Sequence, residues 1–448
     1  MIKVITYGTF DVLHYGHIRL LERAKALGDY LIVGVTSDDY DKIRGKINNR
    51  QTLMERVAAV SSLGIADEVI AEEYEGQKID DIRKYNIDIF TVGSDWEGKF
   101  DYLNNYCKVI YLPRTEGVSS TDIRTENRRI KLGIVGESLA LKKFYNESLY
   151  VNGIEVIGIC SKNREFAERE FNLPFCTASF SSLIEKVDAV YIASHPSKHY
   201  EQIRYALEQG KHVLSESPIS LTVAQCDELF QIAKEKGVVL VDAVKTAYAT
   251  AYTRMLLMLK SGKIGKVVSV DATCTSLKNF DFNNEQYFEN TWNSICAWGT
   301  TAMLPVFQIL GVGYKSKQII SAFADKKKTF DSFTNISFVY GNATATIKVG
   351  KGVKSEGELI VSGTKGYIYV PAPWWKTEYF EVRYENVEEN KKYFYQLEGE
   401  GIRYEIAAFS TAIDRGCVLN EITQDITREI CSVIEDFNNK KDLVEIKI

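Results

Sequence analysis

Twice in this chain a short apolar run ends in glycine and passes into a helical pattern. KVITY (3–7) leads to Gly8-Thr9, and KLGIVG (131–136) repeats the device. After each, strand-length apolar segments alternate with helical periodicity, a rhythm that predicts a parallel, doubly wound sheet. In the first series the expected strands are 3–7, 30–37, 67–71, 87–93 and 108–113. The expected helices are 17–27, 51–63 and 78–85, with Gly28 as the C-cap of the first. The polar run Glu126–Arg129 reads as a linker. In the second series strands are expected at 131–136, 154–160, 188–194, 212–217 and 238–243, with a helix near 138–149. Beyond about residue 265, long alternating segments such as VVSVDATCTSL read as antiparallel strands. The reading is therefore α/β: a doubly wound domain over 1–127, a second Rossmann-type domain over 130–248, and an α+β domain with a broad, mostly antiparallel sheet over 249–448.

Composition narrows the partners. A net charge of −5 over 448 residues gives no basic footprint for nucleic acid. No apolar run approaches the roughly 18–20 residues that span a bilayer, so no membrane insertion is expected. The first residues read as a strand rather than a signal peptide. The eight cysteines contain no C-x-x-C pair and fit a reducing compartment, so a cytoplasmic protein is expected.

The chemistry of the first domain concentrates in GTFDVLHYGHIRLLERAKALGD (8–29). A glycine turn lets backbone N–H groups approach phosphate oxygens, and a helix N-terminus adds the positive end of its dipole. His14 and His17 stand at that end and can donate to a phosphorus centre as charge builds. Lys46 and Arg114 can add charge from other loops. The stretch RTEGVSSTDIR (114–124) offers a second anion site through Ser119, Ser120 and Thr121. Read singly, the histidines are a cap and a surface residue; the combination with GTFD and RTEGVSST favours a functional site for phosphoryl or nucleotidyl transfer.

On these stretches, with VGSDWEGKFDYL (92–103), residues 1–124 resemble the glycerol-3-phosphate cytidylyltransferases of the H-x-G-H nucleotidyltransferase superfamily. The resemblance implies CTP + glycerol phosphate → CDP-glycerol + diphosphate, by direct in-line attack, with Mg²⁺ accompanying CTP. The product would feed a cell-surface polymer such as a capsule or teichoic-acid-like chain. Carried over, the catalytic residues are His14, His17, Lys46 and Arg114. CTP would also meet Thr9, Phe10, Tyr15, Gly16, Thr115, Glu116, Gly117, Val118, Ser119, Ser120 and Thr121. The acceptor phosphate would meet Arg44, where the family has lysine, and Lys78. Asp11 and Asp95 are polar candidates toward substrate or metal, with a loop brace as the other reading of Asp95.

Residues 131–448 resemble the Gfo/Idh/MocA oxidoreductases, through KLGIVG, DAVYIASHPSKHYEQIRYALEQGKHVLSESPIS (188–220), SGKIGKVVSV (261–270) and GTKGYIYVPAPWW (363–375). The departures fall on the chemistry. The dinucleotide fingerprint keeps Gly136, but Ser138 and Leu141 replace its later small residues, and Glu137 would repel a diphosphate. The family's E-K-P reads Glu216-Ser217-Pro218, and its later Asp and His fall near Ala297 and Thr301. Ser161 and Lys162 could greet the 2′-phosphate of NADP, with a merely solvated Lys162 as the other reading. Lys245 and His199 remain near the expected pocket, and His195, a further candidate for the dinucleotide, and His199 read equally well as structural. These departures make the second region a scaffold or an altered oxidoreductase. The alternative is a bifunctional enzyme that reduces a ketose or aldose phosphate with NADPH before cytidylylation. CTP and a polyol phosphate are the expected partners, and the resemblance implies face-to-face pairing of the broad sheet in a homo-oligomer.

Overall fold

A computed structural model describes residues 1–11, 13, 15–43, 51–74, 76–113, 130–151, 153–280, 285–395, 397–416 and 422–447. The chain divides into two compact units, Met1–Arg129 and Ile130–Ile448.

The first unit is built on five parallel strands: β1 (Lys3–Gly8), β2 (Tyr30–Thr36), β3 (Glu68–Glu72), β4 (Ile89–Gly93) and β5 (Lys108–Leu112). Their order is β3-β2-β1-β4-β5. Alternate residues of a strand point to opposite faces. Val4, Leu31 and Val33 therefore join Leu21 and Val60 in one apolar layer, while Ile5, Ile32 and Phe90 join Ile82 in the other. The helix Leu53–Ser62 starts at a capping box, in which Thr52 and Glu55 each bond the other's backbone N–H.

Two expectations need correction here. The first helix runs Tyr15–Lys25, two residues earlier than expected at each end. Its first N–H groups need no intrahelical partner, so apolar periodicity does not register them. Gly28 is not a left-handed C-cap; a Cβ there would lie 2.6 Å from the Ile2 carbonyl oxygen, so glycine serves a close backbone approach.

The second unit contains two sheets. The six parallel strands of the first are β6 (Ile130–Val135), β7 (Ile154–Cys160), β8 (Phe175–Thr177), β9 (Ala189–Ile192), β10 (His212–Glu216) and β11 (Leu240–Ala243). Their order is β11-β10-β9-β6-β7-β8. The short β8 carries too little apolar pattern to stand out in the sequence. The second sheet is broad and mixed. Val267–Leu277 pairs in parallel with Thr344–Gly350, and Ser316–Phe323 pairs in parallel with Leu443–Glu445. Its other pairings are antiparallel. Helix Thr300–Leu310 packs on this sheet, and Val270, Ile336, Ile347 and Val361 belong to its buried core. Among the described residues no helix is long and apolar enough to cross a membrane.

Candidate functional site

In the first unit the chain winds from β1 through β2 to β3, then returns to lay β4 on the other side of β1. Loops leaving β1 and β4 therefore diverge and open a crevice at the strand ends. The β1 loop is Gly8-Thr9-Phe10-Asp11. Phe10 takes a left-handed φ of 52°, and its buried ring meets the His17 imidazole edge-on at 5.5 Å. That contact orients His17 in the first turn of helix Tyr15–Lys25, beside Gly16.

Arg56 clamps this loop. Its guanidinium is fully buried and donates to the carbonyls of Thr9 (2.6 Å), Thr36 (2.8 Å) and Gln51 (3.1 Å). It also pairs with Asp38 at 2.5 Å and lies 3.6 Å from Asp41. The Thr9 hydroxyl donates to Asp41 (2.9 Å), and buried Asp11 accepts from the Gln51 N–H (3.0 Å). Sequence reasoning missed Arg56. The available signal was its place four residues before Val60, on the buried face of one helix, where a charge needs a partner.

Across the crevice, Lys78 is buried, ion-paired with Glu72, and stacked over Tyr7 and Phe100 at 4.7 and 5.5 Å from the ring centroids. Glu72 also accepts from the Thr36 hydroxyl (2.9 Å). Asp95 belongs to the short turn Ser94–Trp96 that follows β4. The candidates His14, Arg44, Lys46, Arg114, Thr115, Glu116, Gly117, Val118, Ser119, Ser120 and Thr121 lie outside the described residues, as does the side chain of Tyr15.

The second unit repeats the topology, and its crevice lies where β6 and β9 part. A cavity of about 810 Å³ there is lined by Gly136, Ser138, Ser161, Lys162, His195 and Lys351, among others. Gly136 has φ 141°, and a Cβ would lie 2.7 Å from the Ala193 carbonyl oxygen, so this turn admits only glycine. Ser138 precedes helix Leu139–Ser148 in extended conformation, and its side chain caps none of the helix N–H groups. Leu141 is fully buried in the core face of that helix. Glu137 accepts from the Lys162 N–H (2.9 Å), which carries its carboxylate to the end of β7. The first-turn glycine, the helix N-terminus and the open crevice thus fit a dinucleotide despite the edited fingerprint. His195 is the N-cap of helix Pro196–Glu208, with its ring pushed toward the neutral form by burial. Burial also pushes the Lys351 ammonium down to about 8, and it donates to the Trp292 carbonyl (2.5 Å).

A second cavity of about 800 Å³ contains Glu216, Ser217, Lys245, Ala297, Thr301 and Glu405 in its wall. The positions expected for the family's lysine, Asp and His thus face one space, although their side chains differ. A π-helical turn, Ile295–Gly299, brings Ala297 there. Glu216 accepts from the Tyr191 hydroxyl, whose ring stacks on Phe144 at 3.7 Å. Burial pushes the carboxyls of Glu216 and Glu405 upward and that of Asp242 to about 6. Glu405 Oε1 has no hydrogen-bond partner among the described residues. His199 is structural: its two ring nitrogens face the Pro218 and Ser194 carbonyls at 2.8 and 2.9 Å, and burial lowers it to about 4. Tyr191 and Glu405 escaped sequence reasoning because each carries no local motif.

Comparison with known proteins agrees with this division. Residues 5–126 match the cytidylyltransferase-like family, and residues 130–243 match the oxidoreductase family with an NAD-binding Rossmann fold. The glycerol-3-phosphate cytidylyltransferase of Bacillus spizizenii is 52% identical over 126 residues, 28% of this chain and 97% of that protein. An uncharacterised oxidoreductase of Escherichia coli is 28% identical over 185 residues, 40% of this chain and 52% of that protein. A 3-ketoreductase from Actinomadura kijaniata, solved with NADP and TDP-benzene, shares the fold of 72% of this chain over all of its own length, at TM-score 0.64 and 19% identity. The chain thus belongs to the cytidylyltransferase family of the glycerol-3-phosphate cytidylyltransferases and carries, behind that unit, a Gfo/Idh/MocA oxidoreductase domain.

Proposed function

We propose that the first unit transfers the cytidylyl group of CTP to a glycerol phosphate or a related polyol phosphate. The observation that carries the reading is the Gly8–Asp11 loop with His17 at its helix N-terminus, inside a match that spans 97% of a glycerol-3-phosphate cytidylyltransferase. An acceptor phosphate oxygen attacks the α-phosphorus in line, and diphosphate leaves. His17 and the first-turn N–H groups donate to the oxygens on which charge accumulates. Lys46 and Arg114 are assigned to the leaving diphosphate. Mg²⁺ bound with CTP would lower the charge that these donors must meet. Diphosphate release from CTP and glycerol 3-phosphate tests the reading; a preference for ATP would overturn it.

The second unit is read as a reductase of a carbonyl substrate. The crevice at the ends of β6 and β9 supports this, with Gly136 and the helix N-terminus to hold a diphosphate and Lys162 to meet a 2′-phosphate. A bound nicotinamide nucleotide would supply the hydride. The carbonyl oxygen then takes its proton from Glu405, a buried carboxyl whose Oε1 has no hydrogen-bond partner among the described residues, since Ser217 replaces the family's lysine. NADPH titration of the full chain tests this part. One face of the broad sheet is the proposed contact in a homo-oligomer.

A further inference from the structure

Four lysines, Lys143, Lys245, Lys278 and Lys376, line the second cavity. Three of them converge on one carboxylate. Lys143 from helix Leu139–Ser148, Lys245 from the turn Lys245–Tyr248 and Lys376 from the turn Trp374–Lys376 reach Glu400 at 3.2, 3.2 and 2.7 Å. Burial drives the other two lining carboxyls, Glu216 and Glu405, toward the neutral form. Even with both of those carboxylates charged, the four lysines of this wall outnumber its three carboxylates.

The segment that presents Glu400 is unusual. Gly399, Glu400 and Gly401 all have left-handed φ, at 58°, 55° and 88°. A Cβ at Gly399 would lie 1.7 Å from Glu147 Oε2, and Glu147 is itself held by Arg403 at 2.8 Å. Glu400 bears a Cβ and is disfavoured in that conformation. The backbone is thus bent against its preference to set one carboxylate among three ammonium groups.

We propose that Lys143, Lys245 and Lys376 bind the phosphate of a small phosphorylated carbonyl compound, and that Glu400 occupies this place until the phosphate displaces it. The proposal rests on the reductase reading of the second unit and names its substrate class. A phosphate monoester brings three acceptor oxygens and nearly two charges, against the two oxygens and single charge of Glu400, so it competes well for three lysines. Reduction of such a compound moves a hydride from the dihydronicotinamide to the carbonyl carbon and a proton to its oxygen. The product is a polyol phosphate, the class of acceptor proposed for the first unit.

The test is calorimetric titration of the full chain with dihydroxyacetone phosphate, dihydroxyacetone and inorganic phosphate, with and without NADPH. Dihydroxyacetone phosphate is expected to bind and dihydroxyacetone to fail. Lys376→Gln should weaken that binding by ~10-fold or more, the usual loss for a charged hydrogen bond. Glu400→Gln should tighten it by ~3-fold or more, because an occupied site taxes the entering ligand. If Glu400→Gln does not fold, Lys376→Gln carries the test. Thermal unfolding of the second unit in both variants serves as the folding reference. Lysine-dependent binding without any NADPH binding supports the anion site and removes the reductase reading. NADPH binding with phosphate affinity indifferent to both variants overturns the site and leaves that reading standing. Inorganic phosphate binding as tightly as the ketose phosphate also overturns the substrate assignment.

Discussion

The two units solve one topological problem with different economies. Each places a glycine turn and a helix N-terminus beside the point where a parallel sheet reverses its winding. In the first, a single loop and the helix after it bring Thr9, Phe10, Gly16 and His17 together, and Arg56 locks that loop from beneath. In the second, one glycine of the turn survives, and the second cavity is assembled from Tyr191, Glu216, Lys245, Glu400 and Glu405, scattered over more than half of the unit's length. A site carried by one loop stays recognisable as a motif. A site assembled from distant segments can keep its cavity while its local signature erodes.

The sharpest way to break this comparison is to remove the clamp. Arg56→Ala strips a buried cation from two carboxylates and three carbonyls and should destabilise the first unit by about 3–5 kcal/mol. Thermal unfolding of the full chain should then show an early first-unit transition with the second unchanged; a shift of both would mean the units do not unfold separately. Next, His17→Ala should lower kcat for cytidylylation by at least ~10²-fold, as loss of a transition-state donor does. Near-normal turnover would sink the catalytic role of His17.

Smaller effects sharpen the second unit. Lys162→Ala should weaken NADPH by ~10-fold and spare NADH, the usual loss for a charged hydrogen bond. Glu137→Gln should move the NADPH:NADH preference the other way, by relieving repulsion of the 2′-phosphate. Equal ratios in both variants would remove these residues from cofactor choice.

The smallest expected signal is in pH-dependent stability. The Glu400 carboxyl is lowered to about 2, with burial opposing and Lys376, Lys245 and Lys143 lowering it. Its contribution is present above the ordinary carboxylate range and is lost as pH falls toward about 2. Asp242, raised by burial to about 6, has the opposite sign: its cost is absent in acid and grows as pH rises through about 6. Denaturant titrations of Glu400→Gln and Asp242→Asn across that range should show the two slopes change in opposite senses.

Of the two readings of the second region, the family match favours an oxidoreductase-type domain over a bare scaffold. The substitutions at Ser138, Leu141 and Ser217 are what speaks for a scaffold. Yet Leu141 is absorbed into the core, Glu137 turns to the Lys162 N–H, and the crevice stays open. A list of motif losses could not reveal those accommodations.

By itself the sequence determined where the longer parallel strands fall, though not the short β8, because apolar period and glycine punctuation depend only on neighbours along the chain. It also marked the loop around His17, because that chemistry is local. Only the tertiary structure decided that Arg56 lies beneath Thr9, that Tyr191 and Glu405 share a cavity, and that three lysines meet Glu400. Those contacts join residues dozens to hundreds of positions apart. Their energy comes from burial and charge pairing, which exist only once the sheets have formed.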